Sequence, residues 1–357
     1  MGAETEKFGG VTRRVFDCMM ALFKSPAAQG RSRAMKPGLS GVSLLLACAL
    51  SAPAYAFDCK AARSPIEKTI CADAGLLALD DKIAKAYGAL RAMGDAGARA
   101  ALAGSQRAWL TTRDACLKQE KVKACLAGRM NRRLAYLTGR PEAGPGAASR
   151  LVPLIRWREA PGKSGQRIEA LAFAAPATAG EKRFNDLVHG FVDDLIADMS
   201  GQPDRATTLE VTASLPYASA RFISVNLDSY SFAAGAAHPN RNSIDINVGL
   251  ALGRALAFGD LFDAAANPEV VSLCRRQIAS EEHWRVMRAQ APDEMKEFDA
   301  ALAKALPDLE AWSFTADHVR VNFMQRPLAG YLDGVYGCAL PYAALRPLAR
   351  PGAWVID

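Results

Sequence analysis

The pattern of hydrophobic and polar positions divides the chain into a helical segment and a later segment that mixes helices and strands. From residue 65 to residue 137, apolar side chains recur at steps of three and four, as on the buried stripe of amphipathic helices. Ser64 and Pro65 followed by Glu67 are typical of a helix start, because they supply a cap, a first-turn proline and a capping box. The predicted helices begin at Pro65, near Arg99 and near Val122.

Periods of two and of three to four alternate after residue 168. Residues 184–196 have the spacing of a strong amphipathic helix, whereas 220–232 and 244–248 alternate apolar and polar residues like half-buried strands. The two strands flank residues 233–242 and are predicted to pair antiparallel. The predicted fold class is α+β, with a disulfide-bonded helical N-terminal domain and a C-terminal antiparallel sheet with packed helices.

This organisation predicts four segments. The stretch between the two folded parts is rich in Gly and Pro and has no apolar period, which is typical of a linker. The predicted boundaries are a leader and cleaved signal peptide over 1–56, a helical four-cysteine domain over 57–140, a linker over 141–150 and an α+β domain over 151–357.

Residues 35–59 have the order of an export signal. Basic residues precede an apolar run over 39–50, and Ala54-Tyr55-Ala56 places small residues where signal peptidase cleaves. The run is about a dozen residues, which is too short for a transmembrane anchor. We expect translation from Met35, cleavage after Ala56 and a periplasmic or secreted protein. The alternative is a lipoprotein anchored through Cys48, because residues 45–48 resemble a lipobox.

Six of the eight cysteines follow the predicted cleavage site. An even number in an exported chain favours disulfides, and the spacings lack the short knuckles of zinc sites, so no metal is predicted. Cys71 and Cys116 fall at the same end of a predicted helical hairpin, with Cys59 and Cys125 nearby. We favour Cys59–Cys71 and Cys116–Cys125, with the crossed pairing as the alternative, and Cys274–Cys338 in the second domain.

The formal net charge of +7 conceals opposite charges in the two predicted domains. Residues 57–140 carry 16 basic and 8 acidic residues, a net of +8, whereas residues 141–357 carry a net of −5. The basic part suits an anionic surface such as cell wall, and the acidic part suits a cationic partner. Export disfavours nucleic acid as a partner.

Four consecutive motifs give the helical segment a family resemblance. They are FDCKAARSPIEKTIC, LLALDDKIAKAYGAL, SQRAWLTTRDAC and CLAGRMNRRLAYL. Together, from Phe57 to about Leu137, they resemble the N-terminal domain of the LprI-type lysozyme inhibitors. The resemblance implies an exported, disulfide-bonded helical domain with lysozyme as a partner.

A second resemblance covers the later segment, from about 151 to about 345. The motifs that carry it are residues 230–240, 245–249 and 259–262 and the closing stretches around Trp312, Val319 and Leu340. They resemble the C-terminal domain of RsiV-type anti-sigma factors. That domain binds lysozyme in those proteins, so the resemblance implies a lysozyme-binding surface. Neither a transmembrane helix nor a sigma-binding segment is recognised, and direct sigma-factor control is not expected.

The sequence contains none of the common catalytic motifs, and we predict a binding protein without a cofactor rather than an enzyme. His238 lies in a loop of small residues and is either part of a recognition loop or a satisfied turn residue. Trp109 and Arg113 lie one turn apart and form either a binding patch or core packing. Asp80-Asp81 and Asp193-Asp194 are interpreted as solvated. The candidate binding residues are Tyr230, Gly235, His238, Pro239, Asn240, Trp109 and Arg113.

These patterns favour an exported binding protein for lysozyme or a similar cationic cell-wall hydrolase. The electrostatic complement of the acidic domain to a basic enzyme supports this hypothesis. The alternative is a cell-envelope accessory protein or enzyme that acts on peptidoglycan, with His238 as its candidate residue.

Overall fold

The structure is a computed structural model that describes residues 58–144, 150–159, 164–200, 206–278, 292–323 and 337–353. The predicted leader, the signal peptide and Cys48 lie outside these residues, as does the start of the predicted mature chain at Phe57.

The described chain begins with a layer of four helices. Ser64 starts α1 with the predicted capping box, in which its Oγ accepts from the Glu67 amide at 3.2 Å while Glu67 Oε2 accepts from the Ser64 amide at 2.9 Å. The helix predicted to continue from Pro65 breaks at Asp73, because this carboxylate caps a new helix through the Gly75 and Leu76 amides. The helices are α1 (Pro65–Cys71), α2 (Ala74–Met93), α3 (Ala96–Asp114) and α4 (Val122–Thr138), with 3₁₀ turns at Cys59–Ala61 and Ala115–Lys118.

Three disulfides join the six cysteines that the structure describes, and each lies within one part of the fold. Cys59–Cys71 and Cys116–Cys125 close loops with separations of 12 and 9 residues in the helical layer. Cys274–Cys338 spans 64 residues in the C-terminal part. These are the pairings that the sequence favoured over the crossed alternative.

The chain turns from the helical layer into the sheet at Gly139, which has φ 59°. A Cβ here would lie 1.9 Å from the Leu151 carbonyl oxygen, so the close approach requires glycine. Within the predicted linker, the Glu142 amide donates to the Leu215 carbonyl at 2.8 Å and Ala143 bridges to Tyr217. The start of this linker therefore lies along the large sheet.

Six strands form the large sheet in sequential order. The α+β class is confirmed, but β2 and β3 pair parallel, whereas all strands were expected to be antiparallel. The reason is α5, a 22-residue crossover that returns the chain to the starting end of β2. The elements are β1 (Leu151–Arg158), β2 (Gly165–Phe173), α5 (Ala179–Ser200), β3 (Thr207–Ala218), β4 (Phe222–Ala233), β5 (Asn240–Gly249) and β6 (Arg254–Ala255).

A smaller antiparallel sheet of three strands packs beside the large one. Asn247 Nδ2 donates to the carbonyls of Leu309 and Trp312, both at 2.7 Å, and the Phe314 amide donates to Ser224 Oγ at 3.1 Å. Buried side chains hold the sheets together through these bonds. The elements are α6 (Phe258–Leu261), α7 (Asn267–Ile278), α8 (Pro292–Ala305), β7 (Trp312–Phe314), β8 (His318–Asn322), β9 (Gly337–Pro341) and α9 (Tyr342–Leu345), with 3₁₀ turns at Ala264–Ala266, Leu309–Ala311 and Arg346–Leu348.

The two faces of the large sheet have different coverings. The apolar face, with Ile168, Val211 and Leu227, packs against α5, whose Phe184 and Val188 are fully buried. The opposite face is polar, and α3 and α4 cover only part of it, over β1, β2 and β3. A cleft remains where this cover ends.

A polar cleft as the candidate functional site

We call this opening the central cleft. It lies between α3 and α4 on one side and the polar face of the large sheet on the other, and its cavity volume is about 1150 Å³. Its size suits a ligand larger than a single small metabolite. Its charged and aromatic lining includes Arg107, Trp109, Arg132, Arg133, Tyr136, Trp157, Arg167, Glu169, Glu210, Asp228, Asp245 and Arg320.

One row of side chains crosses five strands on the polar face of the sheet. Strand register aligns Trp157, Arg167, Glu210, Tyr230 and Arg241 in that order. The Arg167 guanidinium lies 5.8 Å from the Trp157 ring and donates to Glu210 Oε1 at 2.8 Å, and Arg241 lies 5.0 Å from the Tyr230 ring. The row thus connects the cleft to the β4–β5 hairpin.

Asp245 forms the buried floor of the cleft. The side chain is 2% exposed, and burial is the main cause that raises the pKa of its carboxyl to about 7. Hydrogen bonds from Ser313 and Asn226 and the charge of Arg320 oppose this change, whereas Asp228 adds to it. A carboxyl group with this pKa gains or loses its proton near neutral pH.

Arg133 ties the helical layer to the sheet and forms the wall of the cleft. Its Nη1 lies 3.0 Å from Glu169 Oε1 on β2, and its Nη2 donates to Ser105 Oγ at 2.8 Å and Gln106 Oε1 at 3.0 Å. The guanidinium lies between the rings of Trp109 and Tyr136, 5.7 Å and 5.4 Å away. This arrangement satisfies a charge that is almost completely buried.

Four buried polar atoms of the cleft residues have no hydrogen-bond partner in the part of the protein that the structure describes. Buried polar groups are nearly always hydrogen-bonded, and four of the eight exceptions among the described residues belong to this lining. The atoms are Trp109 Nε1, Tyr136 OH, Trp157 Nε1 and Asp245 Oδ1.

Of the two residues predicted as a binding patch on the helices, Trp109 lies in the cleft lining and Arg113 lies in the helical core. Trp109 lines the cleft, whereas Arg113 lies behind it, 5.5 Å from its ring and buried. Arg113 pairs with Asp114 at 2.9 Å and approaches Asp80 at 3.9 Å. Asp80, which was expected to be solvated, is 5% exposed, and burial raises the pKa of its carboxyl to about 6.

The other predicted residues lie on the β4–β5 hairpin. Tyr230 belongs to the cross-strand row, Gly235 has φ 82° in the turn, and Asn240 begins β5. His238 is exposed, with Nδ1 3.3 Å from the Pro239 carbonyl oxygen. None of the predicted hairpin residues, Tyr230, Gly235, His238, Pro239 and Asn240, lines the cleft, and their binding roles stay predictions.

Sequence reasoning missed Arg133, Glu169, Trp157 and Asp245. The alternation over 244–248 placed Asp245 on a polar face but did not show that the small sheet covers that face. The burial of Arg133 was weakly indicated in the sequence, because Arg133 lies on the same helix face as Met130 and Leu137.

Neither a metal centre nor a membrane span is found among the residues that the structure describes. None of their acidic, His and Cys side chains form a group of three or more that could hold a metal ion. No described helix is long and apolar enough to cross a membrane.

One family model matches the helical layer. Residues 59–137 match the model of the family described as lysozyme inhibitor LprI. No curated protein matches the chain.

Two crystal structures of DUF3298 family proteins resemble the C-terminal part. The protein from Pseudomonas aeruginosa is 15% identical with a TM-score of 0.40, and the alignment covers 57% of this chain and 95% of that one. The protein from Bacteroides fragilis is 11% identical with a TM-score of 0.39, covering 57% and 94%. The RsiV-type resemblance is not confirmed by these comparisons and stays a prediction.

Proposed function

We propose that this chain is an exported protein that binds and inhibits lysozyme or a similar cationic cell-wall hydrolase. The observation that carries the proposal is the match of residues 59–137 to the lysozyme inhibitor family. Three disulfides support an extracytoplasmic location, because such bonds persist in oxidising compartments.

The charge distribution supports a basic partner for the C-terminal part. Residues 141–357 carry a net charge of −5, and acidic surfaces attract cationic enzymes and accelerate their association. The helical segment carries a net charge of +8 and would repel such an enzyme at long range. The family match of this segment therefore supports the class of the partner, whereas the charge distribution supports the place of contact. We therefore propose that the hydrolase approaches from the side of the sheet.

The β4–β5 hairpin is the proposed contact surface. Phe232 is one of the few large apolar side chains exposed in the described chain, and Tyr230 stacks on Arg241 beside it. Aromatic residues and Arg are the common anchors of protein interfaces, and the paired strands of the hairpin hold these side chains on one face. His238, Pro239 and Asn240 complete this surface.

Inhibition assays and calorimetry with c-, g- and i-type lysozymes test the proposal. We expect binding that weakens as salt is added, and Phe232→Ala should weaken it about tenfold or more. Leu252→Ala is the matched control, because Leu252 is also exposed but packs beside Gly249 at the far end of β5, away from the turn at Gly235. Absence of binding to all three lysozyme types at low ionic strength would overturn the proposal.

Export has its own test. Mass spectrometry of the protein recovered from the cell envelope or medium should give a chain that begins at Phe57, with six cysteines oxidised. A mass that retains residues 35–56, or one that includes a lipid on Cys48, would contradict cleavage after Ala56.

A further inference from the structure

We infer that the central cleft is a second binding site, specific for a short uncharged oligosaccharide. The inference is independent of the lysozyme proposal, since it rests on the cavity between the helical layer and the sheet. The first ground is access. The mouth of the cleft is open to solvent, because five of its lining residues are exposed: Arg107, Arg132, Thr212, Asp228 and Arg320.

The second ground is the set of unpartnered atoms in its walls. Tyr136 and Asp245 are more than nine-tenths buried and line the cleft from opposite sides. Neither the Tyr136 hydroxyl nor Asp245 Oδ1 has a hydrogen-bond partner in the described protein. Leaving such groups unpaired costs about 1–3 kcal/mol each, so a ligand that pairs them gains affinity.

Charge balance indicates the ligand class. The lining holds six arginines and six acidic residues, and several neutralise one another, as in Arg133–Glu169 and Arg167–Glu210. A polyanion such as nucleic acid, or a polycation, would meet as many repulsive as attractive groups. An uncharged ligand with many donors and acceptors fits this balance.

The sheet side of the cleft favours a sugar over a peptide. Beside the Arg167–Glu210 pair and the exposed Arg320, its side chains are short hydroxyl, amide and carboxylate groups. Peptides bind sheets by adding a strand at a free edge, with apolar pockets for alternate side chains, and this face offers no edge. Sugar hydroxyls both donate and accept, as this lining requires. The short polar residues on this side are Thr212, Ser214, Asn226, Asp228, Ser243, Ser313 and Asn322, of which Ser243 and Ser313 are buried.

Calorimetry and NMR titration of the whole protein test the inference, with tri-N-acetylchitotriose and cellotriose as sugar probes and triglycine as the peptide probe. Asp228→Ala and Tyr136→Phe are the test variants. Each should keep the fold, because Asp228 is exposed and the Tyr136 hydroxyl has no partner to lose. Asp194→Ala and Tyr87→Phe are matched controls outside the cleft lining.

We expect at least one trisaccharide to bind, and each test variant to weaken it about tenfold while the controls bind as the unmodified protein does. Absence of sugar binding, binding unchanged by both test variants, or binding of triglycine in place of the sugars would overturn the inference. Hydrolase inhibition measured on the same variants separates the two proposals. Tyr136 is buried and lies outside the β4–β5 hairpin, so Tyr136→Phe should leave that activity unchanged.

Discussion

Arg133 of α4 and Glu169 of β2 form a 3.0 Å ion pair that joins the helical layer to the large sheet. Both belong to the polar side of this interface, where Ser105 also contacts Glu169. A buried ion pair adds little net stability over apolar packing, but breaking one leaves an uncompensated charge. The pair therefore fixes how the two layers meet.

Arg133→Met should lower the free energy of unfolding by about 3–5 kcal/mol, because it leaves Glu169 without its partner and removes the bonds to Ser105 and Gln106. Arg132→Met on the same helix is the control, since Arg132 is exposed and should change stability by less than about 0.5 kcal/mol. Denaturant titration measures both. Equal effects of the two variants would contradict the role of the Arg133 pair.

Asp245 should make the protein less stable as the pH rises. Burial raises the pKa of its folded-state carboxyl to about 7, above the ordinary value of 3.8, so the folded protein binds this proton more tightly than the unfolded chain does. The stabilisation is complete below the unfolded pKa and is lost as the pH rises through the folded one. A tenfold difference in proton affinity between the folded and unfolded states corresponds to about 1.4 kcal/mol.

Asp245→Asn should therefore gain stability relative to the unmodified protein between about pH 4 and about pH 8, by a few kcal/mol. The difference between the two proteins isolates this group, because Asp80 also has a raised pKa and is present in both. Denaturant titrations across this pH range provide the measurement. A difference that stays constant with pH would show that the pKa of Asp245 is not raised.

Gly104 provides a steric test of the layer interface. A Cβ at this position would lie 2.4 Å from Trp157 Nε1, so Gly104→Ala forces the indole or α3 to move. We expect a loss of about 1–3 kcal/mol and a shift in tryptophan fluorescence. Gly88→Ala on α2 should instead stabilise by up to about 1 kcal/mol, because no atom lies within 4 Å of its added Cβ. Stabilisation by both variants would be inconsistent with the close packing of Trp157.

Removal of the long-range disulfide should cost more than removal of a local one. The double variant Cys274→Ala/Cys338→Ala should lose about 4 kcal/mol, because the bond closes a loop of 64 residues. The corresponding Cys116–Cys125 variant should lose less, since its separation is 9 residues. Thermal and denaturant unfolding under oxidising conditions provide the comparison. A larger loss for the short loop would contradict the loop-entropy explanation.

Features of the fold encoded by neighbouring residues could be predicted from the sequence. The capping box at Ser64, the amphipathic helix after Phe184 and the β4–β5 hairpin depend on contacts within a few residues or one turn. The α+β class follows from the same local periods.

Features that depend on distant partners could not be predicted in this way. The parallel pairing of β2 with β3 depends on where α5 returns the chain, which a local period does not encode. Arg133 is flanked by Arg132 and resembles it in sequence, but only Arg133 meets Glu169, 36 residues away. Asp245 is buried because β7 covers it, and no pattern around residue 245 records that contact.

In an oxidising compartment, the placement of the cysteines lets the two local bonds form before the long-range one. The Cys59–Cys71 and Cys116–Cys125 bonds join residues only 12 and 9 positions apart. Both can therefore form once residue 125 has emerged, before the strands are made. Cys274 must wait for another 64 residues. The two local bonds can therefore close the helical layer before β1 and β2 arrive, whereas the third bond waits for β9.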